Sequence, residues 1–153
     1  MDMLRGKEIA EANLTDWRKL AQGIHARYLV DDFDAGVRFV AAVGEAGDVL
    51  EHHPRVSIGK GYVDLELVTD DAIYRDDEGT EHVIEWVTQQ DIDLARRITE
   101  IATLHKVDAD PASVSETELG LDTARSATVA PVWAALLTGS AESQGRGTPS
   151  DEI

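Results

Sequence analysis

Cysteine is absent from this 153-residue chain. That excludes disulfide staples, thiolate metal sites and cysteine nucleophiles, and it suits a reducing compartment. Basic residues are scarce: 14 Lys and Arg stand against 30 Asp and Glu, a formal charge of −16. Such a field repels phosphate backbones and anionic lipid, so neither nucleic acid nor a membrane surface is expected as a partner. Long apolar runs are also missing, since stretches such as Val40–Val43 fall far short of the ~20 residues of a spanning helix. The first residues, Met1–Leu14, scatter Asp2, Arg5, Lys7, Glu8 and Glu11 among apolar ones and so lack the hydrophobic stretch of a secretory signal. A cytoplasmic protein is expected. What is present, 42% hydrophobic and 29% charged residues, is the balance of a globular chain long enough to bury a core without staples.

The residue order predicts a short helix over Lys7–Leu14, then two brief strands within Trp17–Val30, broken at Gln22-Gly23. Asp31-Asp32-Phe33-Asp34 supplies acid at a helix start, and Phe33, Val37, Val40, Gly44 and Gly47 recur at the spacing of one helical face through to about Leu50. Two glycines on that face, each up to ~1 kcal/mol less helix-favouring than Ala, imply close packing against it. Pro54 turns the chain extended. Arg55–Ile58 and Tyr62–Thr69, joined by Gly59-Lys60-Gly61, read as a hairpin because Val63, Leu65 and Leu67 alternate with Asp64 and Glu66. Ala72–Val87 reads as a second hairpin, turning at Asp76-Asp77-Glu78-Gly79. Thr88 with Asp91 three residues on resembles a capping box, and Ile92, Ala95, Ile98 and Ala102 carry an apolar stripe to about His105. The partition expected is a domain over 1–106, a linker and extra helix over 107–138, and a tail over 139–153 too polar to offset its ordering entropy. The extra helix is expected near Ala130–Leu137, with Pro131 in its first turn.

Chemistry concentrates in Glu51-His52-His53-Pro54 at the exit of the long helix, ahead of a hairpin whose return ends in Thr69-Asp70-Asp71. Two adjacent imidazoles near a carboxylate suit proton transfer at neutral pH, because histidine titrates near about 6.5. His52, His53 and Asp70 are also metal-ligand types, but adjacent residues point apart and no helical His-x-x-x-His pair accompanies them, so no metal is expected.

The order of acidic helix start, Phe33, long helix, Glu-His-His-Pro, hairpin and then Thr88-Gln89-Gln90-Asp91-Ile92-Asp93-Leu94-Ala95 resembles the pterin-4a-carbinolamine dehydratase family, over about Leu14–Lys106. The resemblance implies an α+β fold: a four-stranded antiparallel sheet with helices packed on one face, here with an extra hairpin insertion and a C-terminal helix. It implies a homodimer or homotetramer. It also implies a hydro-lyase acting on a small-molecule pterin, dehydrating 4a-hydroxytetrahydropterin to the quinonoid dihydropterin with no metal or redox cofactor. In that reaction an acid protonates the departing 4a-hydroxyl while a base accepts the N5 proton.

On this resemblance His52 and His53 are catalytic with Asp70 as their carboxylate partner, and Glu51, Pro54 and Thr69 bind the substrate. Two departures stand out. The family's third active-site histidine aligns with Asp70, and the tryptophan often found two residues after the proline is Val56. Asp70 beside an imidazole would favour its protonated form. The alternative is that this strand is merely a solvated acidic face, leaving a weakened or inactive protein that serves dimerisation or assembly. His82 joins the Asp70 side only if Tyr74 pairs with it across the second hairpin.

Overall fold

The computed structural model describes residues 1–117 and 123–142. The chain divides into two compact units, Met1–Glu116 and Thr117–Ile153. In chain order the first contains α1 (Gly6–Glu11), β1 (Arg18–Leu20), β2 (Gly23–Leu29), α2 (Phe33–Leu50), β3 (Arg55–Gly59), β4 (Tyr62–Leu67), β5 (Thr69–Arg75), β6 (Glu81–Trp86), α3 (Gln89–His105) and β7 (Asp108–Ala109). The second contains α4 (Ser126–Thr138).

The main sheet runs β1-β2-β4-β3, antiparallel throughout, with β7 added against β2. Alternation sets its faces. Val63, Leu65 and Leu67 are buried while Asp64 and Glu66 are half-buried on the other side, as a period of two requires when one face is covered. The β3–β4 turn is the two residues Lys60-Gly61, with Gly61 at φ +92° supplying the backbone conformation such a turn demands. Helices α2 and α3 cover the apolar face, where Phe39 meets Tyr28 edge to face at 5.1 Å between ring centres and Ile92, Leu94 and Ile98 are fully buried. The expected α+β architecture is therefore present.

Several boundaries differ from the sequence expectations. The buried stripe of α2 is Gly36, Phe39, Val43, Ala46 and Gly47, rotated from the expected one; Phe33 and Val37 are exposed because the sheet meets the helix at Gly36, where an added Cβ would lie 3.2 Å from Ile58 and 3.3 Å from Val63. The second hairpin begins at Thr69, not Ala72, and forms its own two-stranded sheet, β5-β6, with a bulge between Thr69 and Ala72. The first unit continues past residue 106, since β7 hydrogen-bonds to β2 and the unit extends to Glu116. Helix α4 starts at Ser126, which puts Pro131 inside it rather than in its first turn. Most of the expected 139–153 tail lies outside the described residues.

Candidate active site

The site is built at the C-terminal end of α2. Asp32 caps the start of this helix by accepting from the Ala35 amide at 2.7 Å. The end is closed by Glu51 in the left-handed conformation, φ 52° and ψ 34°, with the Glu51 and His52 amides both donating to the Gly47 carbonyl. A non-glycine residue there costs about 1 kcal/mol. The return is a sharp exit that brings His52, His53 and Pro54 back over the last turn. Gly47 makes room for it: a Cβ at this position would lie 2.6 Å from His53 Cδ2 and 2.8 Å from the His52 carbonyl oxygen. The close packing expected on the glycine face is thus real at Gly47, whereas Gly44 has nothing within 4 Å.

His52 is the anchored member of the pair. Its Nε2 is 2.6 Å from Asp91 Oδ1, with its side chain 12% exposed and that of Asp91 fully buried. Asp91 stands at the third position of α3. Its Oδ2 accepts from the Thr88 amide at 2.7 Å and from the Thr69 hydroxyl at 2.8 Å, and Thr69 and Thr88 hydroxyls are 2.8 Å apart. Oδ2 is therefore spent on capping the helix, and Oδ1 remains as an acceptor for His52. The ring must donate Nε2–H to it, which leaves Nδ1 as the free, proton-accepting nitrogen. One carboxylate thus ties a helix start, a strand start and an imidazole together.

His53 is the open member, with half its side chain exposed and Nε2 2.9 Å from Asp48 Oδ1. Asp48 lies in the last turn of α2, and the reversal at Glu51 brings His53 back against that turn. Each imidazole accordingly has one nitrogen on a carboxylate and the other available.

Asp70 occupies a different arrangement from the one expected. The carboxylate bonded to His52 is Asp91 and that bonded to His53 is Asp48; Asp70 is ion-paired to Arg55 at 3.2 Å and is largely exposed. The same guanidinium reaches Glu85 at 2.8 Å and Glu66 at 3.2 Å. Its pKa is raised further, chiefly by the hydrogen bond to Glu85, opposed by desolvation and supported by the charges of Glu66 and Asp70. The physical reason is reach and charge: Arg55 pairs with Glu66 across β3–β4 and is long enough to collect two more carboxylates from β5 and β6.

Of the residues expected to bind substrate, Glu51 is exposed at the helix exit, Pro54 is half-buried, and Thr69 is buried with its hydroxyl on Asp91. Thr69 thus bonds Asp91 from the buried side. His82 does face Tyr74 in the register, stacking on it at 5.9 Å, but its Nε2 is 2.9 Å from Asp76 at the hairpin turn. Among the described residues no group of three or more His, Asp or Glu side chains is arranged to hold a metal ion, and no helix is long and apolar enough to cross a membrane.

Residues 2–101 match the model of the family described as pterin 4 alpha carbinolamine dehydratase. The chain belongs to that family. A Natronomonas pharaonis protein bearing the provisional name pterin-4-alpha-carbinolamine dehydratase is 31% identical over 101 residues, covering 66% of this chain and 97% of the relative. A similarly named protein from Halobacterium salinarum is 30% identical over 96 residues, 63% of this chain and 92% of the relative. A Brucella melitensis crystal structure, described as a transcriptional coactivator/pterin dehydratase, superposes with a TM-score of 0.53 at 27% identity, covering 66% of this chain and 99% of that one. Within this pterin 4 alpha carbinolamine dehydratase fold, the carboxylate bonded to His52 is Asp91, which the sequence had marked only as a helix cap.

Proposed function

We propose that the protein dehydrates 4a-hydroxytetrahydropterin to the quinonoid dihydropterin by general acid–base catalysis. The observation that carries this reading is the buried His52–Asp91 pair beside an open His53, at the family's His-His-Pro position. The reaction breaks the C4a–O bond, releases the hydroxyl as water after it gains a proton, and removes the N5 proton as the C4a–N5 double bond forms. His52, with Nε2–H donated to Asp91, offers Nδ1 as the base for N5–H. His53, half in solvent and backed by Asp48, delivers the proton to the departing hydroxyl and recovers one from water. General acid–base groups of this kind contribute typically ~10²–10⁴-fold each. Glu51 and Pro54 border the pterin, Thr69 acts through Asp91, and Asp70 contributes through Arg55. No step calls on a metal or redox cofactor.

The assembly in this reading is a homodimer or homotetramer. Val37, Val49 and Leu104, exposed on α2 and α3, support a further contact there. A second reading, a non-catalytic dimerisation or assembly protein, is favoured by one observation: the carboxylate at the family's third histidine position is engaged by Arg55. An assay with enzymatically generated 4a-hydroxytetrahydropterin separates the two. Dehydration above the spontaneous rate that falls at least tenfold in both His52→Ala and His53→Ala supports catalysis. A wild-type rate equal to the spontaneous one, with the oligomer intact, supports the second reading.

A further inference from the structure

Alternation along β2 sends Ile24, Ala26 and Tyr28 into the core, and His25 and Arg27 to the sheet face turned away from α2 and α3. The register lines up their neighbours on that outer face. His25 stands between Arg18 and Glu66, Glu66 meets Arg55 on its other side, and Arg27, Asp64 and Ser57 form the next row. A cavity of about 260 Å³ opens over these rows, with Ser115 and Glu116 also in its lining. Among the described residues neither His52 nor His53 lines it. The Asp110 amide donates to the Arg27 carbonyl at 2.7 Å, which carries the segment after β7 past β2. That segment lies beyond residues 2–101, the part matched to the family. One polar atom here has no partner: His25 is 9% exposed, and its buried Nε2 makes no hydrogen bond among the described residues. Leaving a buried imidazole nitrogen unmet is costly, so it calls for a group that meets it.

We infer that this cavity binds a small neutral lactam, a planar ring carrying a carbonyl oxygen and an N–H side by side. Charge decides the neutrality. Arg27 is paired with Asp64 through two bonds of 2.6 Å and Arg55 with Glu66 at 3.2 Å. An anionic ligand would meet Asp64, Glu66 and Glu116, and a cationic one Arg27 and Arg55. Hydrogen bonding decides the ring edge. Arg27 gives Nε and Nη2 to Asp64, so Nη1 is its donor for a carbonyl. Glu66 gives Oε1 to Arg55 and keeps Oε2 as an acceptor for an N–H. His25 neighbours both, Arg27 along the strand and Glu66 across it, and its Nε2 donates or accepts according to tautomer. The Arg27 guanidinium is also held 4.4 Å over the Tyr62 ring, a fixed plane on which a flat heterocycle stacks. Ser57 and Ser115 supply hydroxyls of either polarity for the remaining ring atoms. The inference stands apart from the dehydratase reading, because it uses neither imidazole of the pair.

The test follows the five histidine rings of the full-length protein by NMR as inosine, uridine or adenosine is added to about 10 mM. Adenosine matches inosine in sugar and ring size but has an amino donor in place of the carbonyl and an acceptor in place of the N–H. Both bonds are thereby reversed. The expected result is a saturable shift of the His25 resonances with inosine. Adenosine should bind at least about tenfold more weakly, the worth of one hydrogen bond in a partly buried site, and His25→Phe should lose inosine affinity by a similar factor. Uridine bound as tightly as inosine assigns the ligand to single pyrimidinone rings, and weaker binding assigns it to fused oxopurines. Should His25→Phe fail to fold, Arg27→Lys decides, since it keeps the charge, removes the planar fork and should cost inosine the same factor. Four results overturn the inference: no saturable His25 shift, shifts confined to His52 and His53, equal affinities for inosine and adenosine, or unchanged inosine affinity in a folded variant. None of them bears on the dehydratase reading, which the reaction rate decides.

Discussion

Replacing Asp91 by Asn tests whether one buried carboxylate sets the protonation pattern of His52. Asn fits the same volume, and its carbonyl can keep the bonds from the Thr88 amide and the Thr69 hydroxyl that Oδ2 now accepts. Its NH₂ group then occupies the Oδ1 position, 2.6 Å from His52 Nε2. Two donors would face each other, so the imidazole must move its proton to Nδ1 and accept from the amide through Nε2. The nitrogen argued to take the N5 proton is thereby blocked. A fall in kcat of about 10²–10⁴-fold is expected. Stability should drop far less. Charge-assisted bonds become neutral ones at a cost of about 1–2 kcal/mol, which lowers Tm by roughly 4–8 °C for a unit of this size. Asp91→Ala makes the contrast: it strands the buried Thr88 amide and the His52 Nε2–H, leaves the two threonine hydroxyls only each other, and should lower Tm by clearly more. Steady-state dehydration rates and thermal melts on the same samples check both numbers. Wild-type kcat in a folded Asp91→Asn protein would refute the reasoning, as would an activity loss that only tracks the unfolded fraction.

The glycines of α2 give a paired prediction. Gly47→Ala pushes a Cβ to within 2.6 Å of the His53 ring and should cut activity by at least about tenfold through misplacement of the pair, whereas Gly44→Ala has open space and should gain roughly 0.5–1 kcal/mol of helix stability with unchanged activity. Burial holds the Tyr28 phenol well above its ordinary range; the protonated form is favoured in the fold, so stability is intact below the unfolded value of about 10 and declines as pH rises beyond it. Melts from pH 9 to 11 should therefore slope downward more steeply in wild type than in Tyr28→Phe. The Asp76 carboxyl is held below its ordinary value, first by the His82 hydrogen bond and then by the Thr80 amide. Its contribution to the hairpin is present above the unfolded value and disappears as pH falls through the folded one. NMR titration should show the Asp76 midpoint rising in His82→Ala, with the dehydration rate unchanged because His82, on β6, bonds Asp76 at the hairpin turn and not the histidine pair.

Local chemistry was legible wherever neighbours in sequence decide the outcome. The limits of α2, a turn within Gly59-Lys60-Gly61 (Gly59 itself ends β3) and the Thr88–Asp91 cap all follow from contacts spanning a few residues. The His52–Asp91 bond joins residues 39 positions apart, and its only trace in the sequence is an Asp where a capping box normally has Glu or Gln. The shorter side chain keeps the carboxylate close to the helix start, one oxygen on the cap and the other aimed at the imidazole. Asp70 misled because gapless alignment with the family histidine carries no information about Arg55, whose reach across three strands depends on how the second hairpin folds over β3. The rotation of the α2 stripe has a similar origin: Phe33 fits the apolar period, but as the first helical residue it lies beyond the sheet, and Gly36 takes the contact. Strand β7 is two residues long, too short for any alternation to reveal, and it exists because β2 offers an open edge at Tyr28 and Leu29.

The most direct measurement is the rate at which 4a-hydroxytetrahydropterin disappears as increasing amounts of the protein are added at neutral pH. The account predicts a rate that rises linearly with protein above the spontaneous dehydration and collapses to it when both imidazoles are removed in His52→Ala/His53→Ala. A wild-type rate indistinguishable from the spontaneous one contradicts it, whatever the fold and the family membership.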